Sequence, residues 1–301
     1  MTIVAYAALV WLGLSFGSLV NALVWRLRQQ ELKAKSSKPK RRRKNSSWLS
    51  AFSLQPSARN KQLSILTGRS QCVHCQHVLA ARDLIPVLSW LILRGRCRYC
   101  HQKISWQYPA VEIAAALVFG LSYAFWPSEL SNWGQWLLFI DWLAVSVGLL
   151  ALLVYDFRWM MLPSRIIYPT AAVAIAGRVI YIIGFEANRP RALLLWLLAV
   201  AVAAGLFWLL FEISKGRWIG FGDVRLGLIT GTVLATPPKA LLMIFMASVL
   251  GTLFVLPALL SGRQSMAARI PFGPFLIMST WLTLLVGSDI LAWYERFFLL
   301  K

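Results

Sequence analysis

The chain has 301 residues, 58% of them hydrophobic and only 14% charged. Two soluble domains of that total length need far more polar surface, so the composition excludes an ordinary soluble protein and points to a membrane. The 31 Lys and Arg against 11 Asp and Glu give a formal charge of +20, which raises nucleic acid and an anionic membrane surface as partner classes.

Ile3 to Trp25 carries no charge over about 23 residues, long enough at 1.5 Å per residue to cross a hydrocarbon core of roughly 30 Å. It reads as a first transmembrane helix; a removable signal peptide is the weaker reading, because no basic residue precedes the run and no small-residue cleavage site follows it. From Arg26 to Tyr108 the chain is polar. Residues 26–103 hold 18 basic and 2 acidic side chains, net +16, against 13 and 9, net +4, elsewhere. Within this segment Lys33 to Lys44 reads KAKSSKPKRRRK and runs on into a Ser-, Asn- and Gln-rich stretch that cannot bury a core and is expected to be disordered. Such an arm suits anionic lipid better than nucleic acid, since no interleaved aromatic platform accompanies it.

Apolar segments resume at 109–126, 136–155, 165–184, 191–213, 224–235, 240–260 and 272–293, making about eight crossings with the first. The run from Val224 to Ala235 is short for a crossing and is expected to be tilted, half-buried or broken near Pro237 and Pro238. Lys and Arg gather on cytoplasmic loops. Placing 26–108 inside brings Arg158, Arg165, Lys215, Arg217, Arg225, Arg263 and Arg269 to the same side, leaving Arg189, Arg191, Lys239, Arg296 and Lys301 opposite. The split is 25 against 5, so the amino terminus is expected outside and the large loop in the cytoplasm. The organisation expected is a first helix at 1–25, a basic cytoplasmic loop at 26–108, and a helical transmembrane core at 109–301.

Inside the loop, Cys72-Val73-His74-Cys75 and Cys97-Arg98-Tyr99-Cys100 are separated by 21 residues and contain the chain's 4 cysteines. Paired C-x-x-C knuckles near this spacing present four thiolates tetrahedrally to one zinc ion, here over about 70–104. The competing reading, two disulfides, is disfavoured in a reducing cytoplasm. His74, His77 and His101 lie in or beside the knuckles, but a complete cysteine set leaves them no place as ligands. Four protein ligands close the coordination shell, so the zinc is expected to be structural.

Carboxylates in the membrane half are costly and therefore informative. Asp156 ends the third segment in Val154-Tyr155-Asp156-Phe157-Arg158, followed by Leu162-Pro163. Asp223 begins the sixth in Gly220-Phe221-Gly222-Asp223. Two crossings, out and back, separate them, which returns both to the cytoplasmic side. Carboxyl groups held a few ångströms apart share a proton, so one can act as base on a water and the other as acid on a peptide carbonyl. Gly220 and Gly222 are expected to let an extended substrate backbone approach. The competing reading is an interfacial Asp paired with Arg158 or Arg225. Glu112 is expected at the inner face, within the bundle or lining the active region; Asp141 is too far along its helix to partner Asp156. Glu212 is a reserve candidate, and Asp289 and Glu295 fall on the outer side.

These stretches, in this order, resemble the type IV prepilin peptidases, Gly-x-Gly-Asp aspartic peptidases of the bacterial inner membrane. The resemblance is carried by Gly17-Ser18-Leu19-Val20-Asn21 with Arg26-Leu27, by the paired cysteines with Asp83-Leu84-Ile85-Pro86 and Leu88-Ser89-Trp90 between them, and by Arg94-Gly95-Arg96-Cys97. It continues through Tyr108-Pro109-Ala110-Val111-Glu112, both aspartate segments and Pro271-Phe272-Gly273-Pro274. It implies an enzyme that removes the basic leader of prepilins and type II secretion pseudopilins at the cytoplasmic face. It further implies N-methylation of the new terminus with S-adenosylmethionine. By position, Asp156 and Asp223 correspond to the catalytic pair and Cys72, Cys75, Cys97 and Cys100 to the zinc-binding tetracysteine. No glycine-rich strand-turn-helix signature marks a methyl-donor pocket.

The chain departs from that pattern at Ser164, where Asp or Asn is frequent, at Arg28, where Pro is frequent, and in a longer basic stretch at 31–62. Ser164 is expected to cap the following helix through its side-chain oxygen. The reading is an all-α polytopic membrane peptidase with a small zinc-binding cytoplasmic insertion, acting on prepilins among membrane lipids and without nucleic acid. A non-catalytic membrane-anchored zinc-ribbon scaffold or nucleic-acid-binding protein is the alternative, and it leaves the two aspartates unexplained. An ion or proton carrier explains neither the cysteines nor the asymmetric loop.

Overall fold

The computed structural model describes residues 2–36, 69–262 and 271–299. The basic arm from Ser37 onward, Arg263 and Arg269 lie outside the described residues. Among those described, eight long helices form the molecule: α1 (Thr2–Ser36), α3 (Gln107–Ala124), α4 (Trp133–Trp159), α5 (Ser164–Phe185), α6 (Arg189–Ser214), α7 (Phe221–Leu234), α8 (Pro237–Leu260) and α9 (Gly273–Tyr294). A 3-10 turn (Ala81–Leu84) and a five-residue helix α2 (Leu88–Ile92) lie in the cysteine segment. Six helices are long and apolar enough to cross a membrane; α3 and α7 are the two that fall outside that set. The protein is an all-helical membrane protein; seven of the eight expected segments match their helices to within a few residues, while six helices rather than eight meet the length and apolarity of a crossing.

One boundary differs. α1 does not stop near Trp25 but continues to Ser36. Its polar extension is made of good helix formers, Arg, Gln, Glu, Leu and Lys, and it is held by packing: Leu27 is 1% exposed and Arg26 9%. The 14 residues of α7 span only about 21 Å at 1.5 Å per residue. It ends at Ala235, in the left-handed region, and α8 begins at once with Pro237 and Pro238 in its first turn.

The helices pack in pairs, α1 on α3, α4 on α5, α6 on α7 and α8 on α9. Two of these pairs rest on a Gly-x-x-x-Gly stripe that lets backbones meet. A Cβ on Gly13 or Gly17 of α1 would sit 2.7 Å from Ala116 Cα or 2.5 Å from Glu112 Cα. On α7, a Cβ at Gly227 or Gly231 would meet Ala203 O at 2.7 Å or Val200 Cα at 2.9 Å. Without side chains at these points, dispersion and backbone contact replace the hydrophobic drive that lipid does not supply. α4 is the central element, touching α1, α3, α5 and α9, and Val145, Leu149, Leu152 and Tyr155 along it are fully buried.

Candidate active site and metal centre

Asp156 lies one turn before the end of α4 and Asp223 in the first turn of α7. The two residues lie at the same end of the bundle, near enough for Asp223 to act electrostatically on Asp156. Asp156 is 5% exposed and lies against the Gly273 backbone at the start of α9. A Cβ on Gly273 would lie 2.5 Å from Asp156 Oδ2, so only glycine brings the backbone this close. The Asp223 N–H donates to Gly220 O at 3.1 Å, closing the turn that opens α7.

Leu162 knits the two halves. Its side chain packs where a Cβ on Gly222 would sit, at 2.9 Å, and reaches within 3.7 Å of the same point on Gly273. Gly222 therefore does not open the site to a substrate backbone, contrary to the sequence expectation, because Leu162 of the protein itself fills that approach. Gly220 has only the Asp223 carboxylate and Gly222 N near its missing Cβ and remains open.

Neither aspartate forms an ion pair among the described residues. Arg225 turns away, donating from Nη1 to Ser164 Oγ at 2.7 Å and lying 5.0 Å over Phe221. Arg158 lies 5.3 Å over Trp159. The simple Asp–Arg pairing is thus not what the fold makes. Ser164 is engaged by Arg225 and is the first residue of α5 rather than its cap; Pro163 occupies the cap position without a side-chain bond.

A polar clamp that sequence reasoning missed holds the Asp156 end of α4. Tyr155, fully buried, donates its hydroxyl to the Glu31 carboxylate of the α1 extension. Glu31 pairs with Arg28 at 3.3 Å, and Arg28 lies 5.0 Å over Trp159. Arg165 Nη1 donates to Gln30 Oε1 at 2.7 Å. Facing Tyr155 toward α1 turns its neighbour Asp156 toward α7 and α9. The only local signal was Tyr155 beside Asp156, since Glu31 falls in what reads as the start of a loop.

The other acidic candidates separate from this pair. Glu112 is buried and accepts from Val87 N–H at 2.7 Å, tying the cysteine segment to α3. Asp141 sits against Gly177 and acts on Arg178 at the far half of the bundle. Glu212 is exposed near the end of α6.

In the cysteine segment each knuckle is a turn closed by an antiparallel bridge, Gln71 with Val78 and Arg96 with Lys103. The two turns repeat one geometry: Cys72 N–H donates to His77 O at 3.0 Å and Cys97 N–H to Gln102 O at 2.9 Å. Gln76 and His101 take matching positive φ of 57° and 56°. All four Sγ atoms lie within 4.8 Å of one another, Cys72 and Cys100 at 3.8 Å. Tetrahedral zinc with Zn–S near 2.3 Å requires edges of about 3.8 Å, so the residues fit that ion. For Cys72, burial works upward, but N–H groups of Cys75 and His74 outweigh it and bring the thiol down to about 7. For Cys100 the Gln102 N–H works downward, but burial and the three neighbouring sulfurs outweigh it and push the thiol up to about 11, so the four sulfurs do not all ionise without a cation among them. Asp83 braces the spacer, accepting from Arg98 at 2.7 Å, Tyr99 at 3.0 Å and the Ala80 N–H at 3.2 Å. Burial works against its charge, yet these donors, Arg98 foremost, hold its carboxyl below the usual carboxylate range.

Residues 11–126 match the Bacterial Peptidase A24 N-terminal domain, and residues 143–256 match the Type IV leader peptidase family. A prepilin leader peptidase/N-methyltransferase of Stutzerimonas stutzeri is 32% identical over 239 residues, 78% of this chain and 77% of that one. One of Aeromonas hydrophila is 30% identical over 236 residues, 78% of each chain. The type 4 prepilin-like proteins leader peptide-processing enzyme of Escherichia coli O78:H11 is 32% identical over 275 residues, 88% of this chain and 87% of that one. No solved structure was found to match. The chain belongs to the type IV prepilin peptidase family. As a prepilin peptidase family member it is an enzyme of a bifunctional class, an aspartic peptidase that is also an N-methyltransferase.

Proposed function

We propose that Asp156 and Asp223 are the catalytic pair of this peptidase and that it removes the basic leader of type IV prepilins or type II secretion pseudopilins. The observation that carries this is the approach of two carboxylates, neither paired with an arginine among the described residues, from the end of one helix and the start of another, beside the Gly273 backbone. The N-terminal N–H groups of α7 face Asp223 and the carbonyl end of α4 carries Asp156. Asp223 accordingly takes the proton of a water that attacks the scissile carbonyl. Asp156 gives its one proton to the carbonyl oxygen and recovers it as the tetrahedral intermediate collapses, while Asp223 passes the proton it took from water to the leaving amine, which restores the pair. Gly220 leaves room for substrate backbone, while Leu162 and the close-set backbone of Gly273 hold the pair in place.

The working division is a cytoplasmic region, 26–108, and a membrane core, 109–301, in the bacterial inner membrane with both aspartates facing the cytoplasm and the amino terminus outside. Cys72, Cys75, Cys97 and Cys100 hold a structural zinc ion, which cross-links the two knuckles and takes no part in cleavage. N-methylation of the new terminus would draw on S-adenosylmethionine. The groove of about 420 Å³ between α8 and α9, lined by Ser248, Thr252, Leu256, Phe272 and Phe275 among others, offers no charged side chain among the described residues. It does not fit the donor's sulfonium, amino and carboxylate groups, so no methyl-transfer step is assigned to it. The test is expression of Asp156→Ala and Asp223→Ala separately with prepilin mobility followed on a gel, and mass spectrometry of the mature terminus. Loss of processing in both variants is expected; normal processing by either removes the dyad, and an unmethylated terminus from active enzyme removes the second activity.

A further inference from the structure

In α2, Leu88, Leu91 and Ile92 are 50%, 55% and 73% exposed. They stand at i, i+3 and i+4, hence on one face. Trp90 points the other way: a Cβ on Gly95 would lie 2.9 Å from its ring, and its Nε1 donates to Ile104 O at 3.3 Å. Its ring centre is 4.5 Å from that of Trp106, the residue before α3. Leu84 and Ile85, 39% and 38% exposed, extend the apolar patch.

The height of this patch is fixed by one hydrogen bond. Val87, immediately before α2, donates to Glu112 at 2.7 Å. Glu112 is five residues into α3, about 7.5 Å along its axis, so α2 starts beside the membrane-entry turns of α3 and not beyond them. Trp106, 68% exposed, and Tyr108 mark that entry, and such aromatics favour the headgroup layer. Residues 69–108 carry six basic side chains and one acidic. Arg82, Arg94, Arg96 and Lys103 are exposed. Even with a zinc ion and four thiolates, which together add −2, the balance stays positive, which suits anionic lipid and disfavours a cationic peptide.

We propose that the Leu88, Leu91 and Ile92 face of α2 docks the cysteine module onto the membrane surface, its three side chains entering the headgroup–acyl boundary. Insertion to about 5–10 Å is the usual depth of interfacial helices, which the Val87–Glu112 bond already matches. The docking is independent of the aspartates and sets how high the module stands over them.

The full-length protein is placed in nanodiscs of phosphatidylethanolamine and phosphatidylglycerol bearing a diazirine in the acyl chain, irradiated and mapped by mass spectrometry. Acyl cross-links are expected at Leu88, Leu91 and Ile92 with yields like that of Leu117 on the lipid face of α3. Replacing phosphatidylglycerol by phosphatidylcholine should lower them several-fold, as should Ile92→Glu at the neighbouring positions. Ile92 is exposed enough that this change leaves the fold alone. Cross-links at Leu117 with none at 88–92 would overturn the proposal. So would capture of an added photoreactive prepilin peptide by 88–92 in place of lipid, which would make the patch a substrate surface.

Discussion

At Gly273 a single hydrogen atom in place of a side chain lets the start of α9 approach Asp156 closely. A Cβ there would lie 2.5 Å from the carboxylate, so Gly273→Ala must displace one or the other. A misplacement near 1 Å costs on the order of 100-fold in rate, and initial cleavage rates with unchanged zinc content should show it. Tyr155→Phe removes the donor to Glu31 while keeping the ring; the lost bond, about 1 kcal/mol, should lower kcat several-fold and leave KM nearly unchanged. Glu31→Gln, which still accepts, should retain more activity than Glu31→Ala. Asp83 gives a pH signature. Its carboxyl is held below the usual range, so its bracing of the module is complete above the ordinary carboxylate value near 3.9 and lost as pH falls through the lower folded value. Hydrogen exchange at residues 72–103 should therefore separate wild type from Asp83→Asn at neutral pH and bring them together in strong acid. The four cysteines were legible as one cluster because their type and spacing point to a shared ion, and their Sγ atoms do come together; Asp156 and Asp223 were singled out by the cost of a carboxylate in a membrane segment and by the family resemblance. Glu31 with Tyr155, and Leu162 with Gly222, were not, because each pairing exists only once distant helices meet.

Among the helices, α7 bears the heaviest constraint. It starts at the site and stops about 21 Å later, leaving its last carbonyls inside the bundle. Arg178 of α5 donates to Val233 O at 2.9 Å, and Asp141 of α4 balances that guanidinium electrostatically. The far ends of both aspartate-bearing helices thus share one charged link. Arg178→Met should destabilise the protein by about 1–3 kcal/mol through the orphaned carbonyl and carboxylate, read as a lower thermal midpoint in detergent, without changing zinc content. The helices themselves were legible from apolar runs, including the shortness of α7. The continuation of α1 to Ser36 was not, because its polar residues read as loop until Tyr155 and Trp159 give them a surface to pack on.

For the whole molecule, the +16 of residues 26–103 is the basis of the proposed orientation, and on that orientation it also sets a cost. A cationic region beside the site repels a basic leader unless anionic lipid screens it, and a membrane-docked cysteine module, drawing anionic headgroups around its arginines, would supply that screen. Neutralising Lys40 to Lys44 should weaken association of the loop with anionic vesicles more than it alters substrate choice; a large shift in prepilin preference would count against that. The most direct test of the central claim is single-turnover cleavage of a synthetic prepilin by purified enzyme in nanodiscs, with Asp156→Asn and Asp223→Asn compared to wild type at equal zinc content. Each substitution is predicted to lower the cleavage rate by at least about 100-fold, because acid and base act on one bond. Cleavage by either variant at a rate close to wild type would contradict the two-aspartate mechanism.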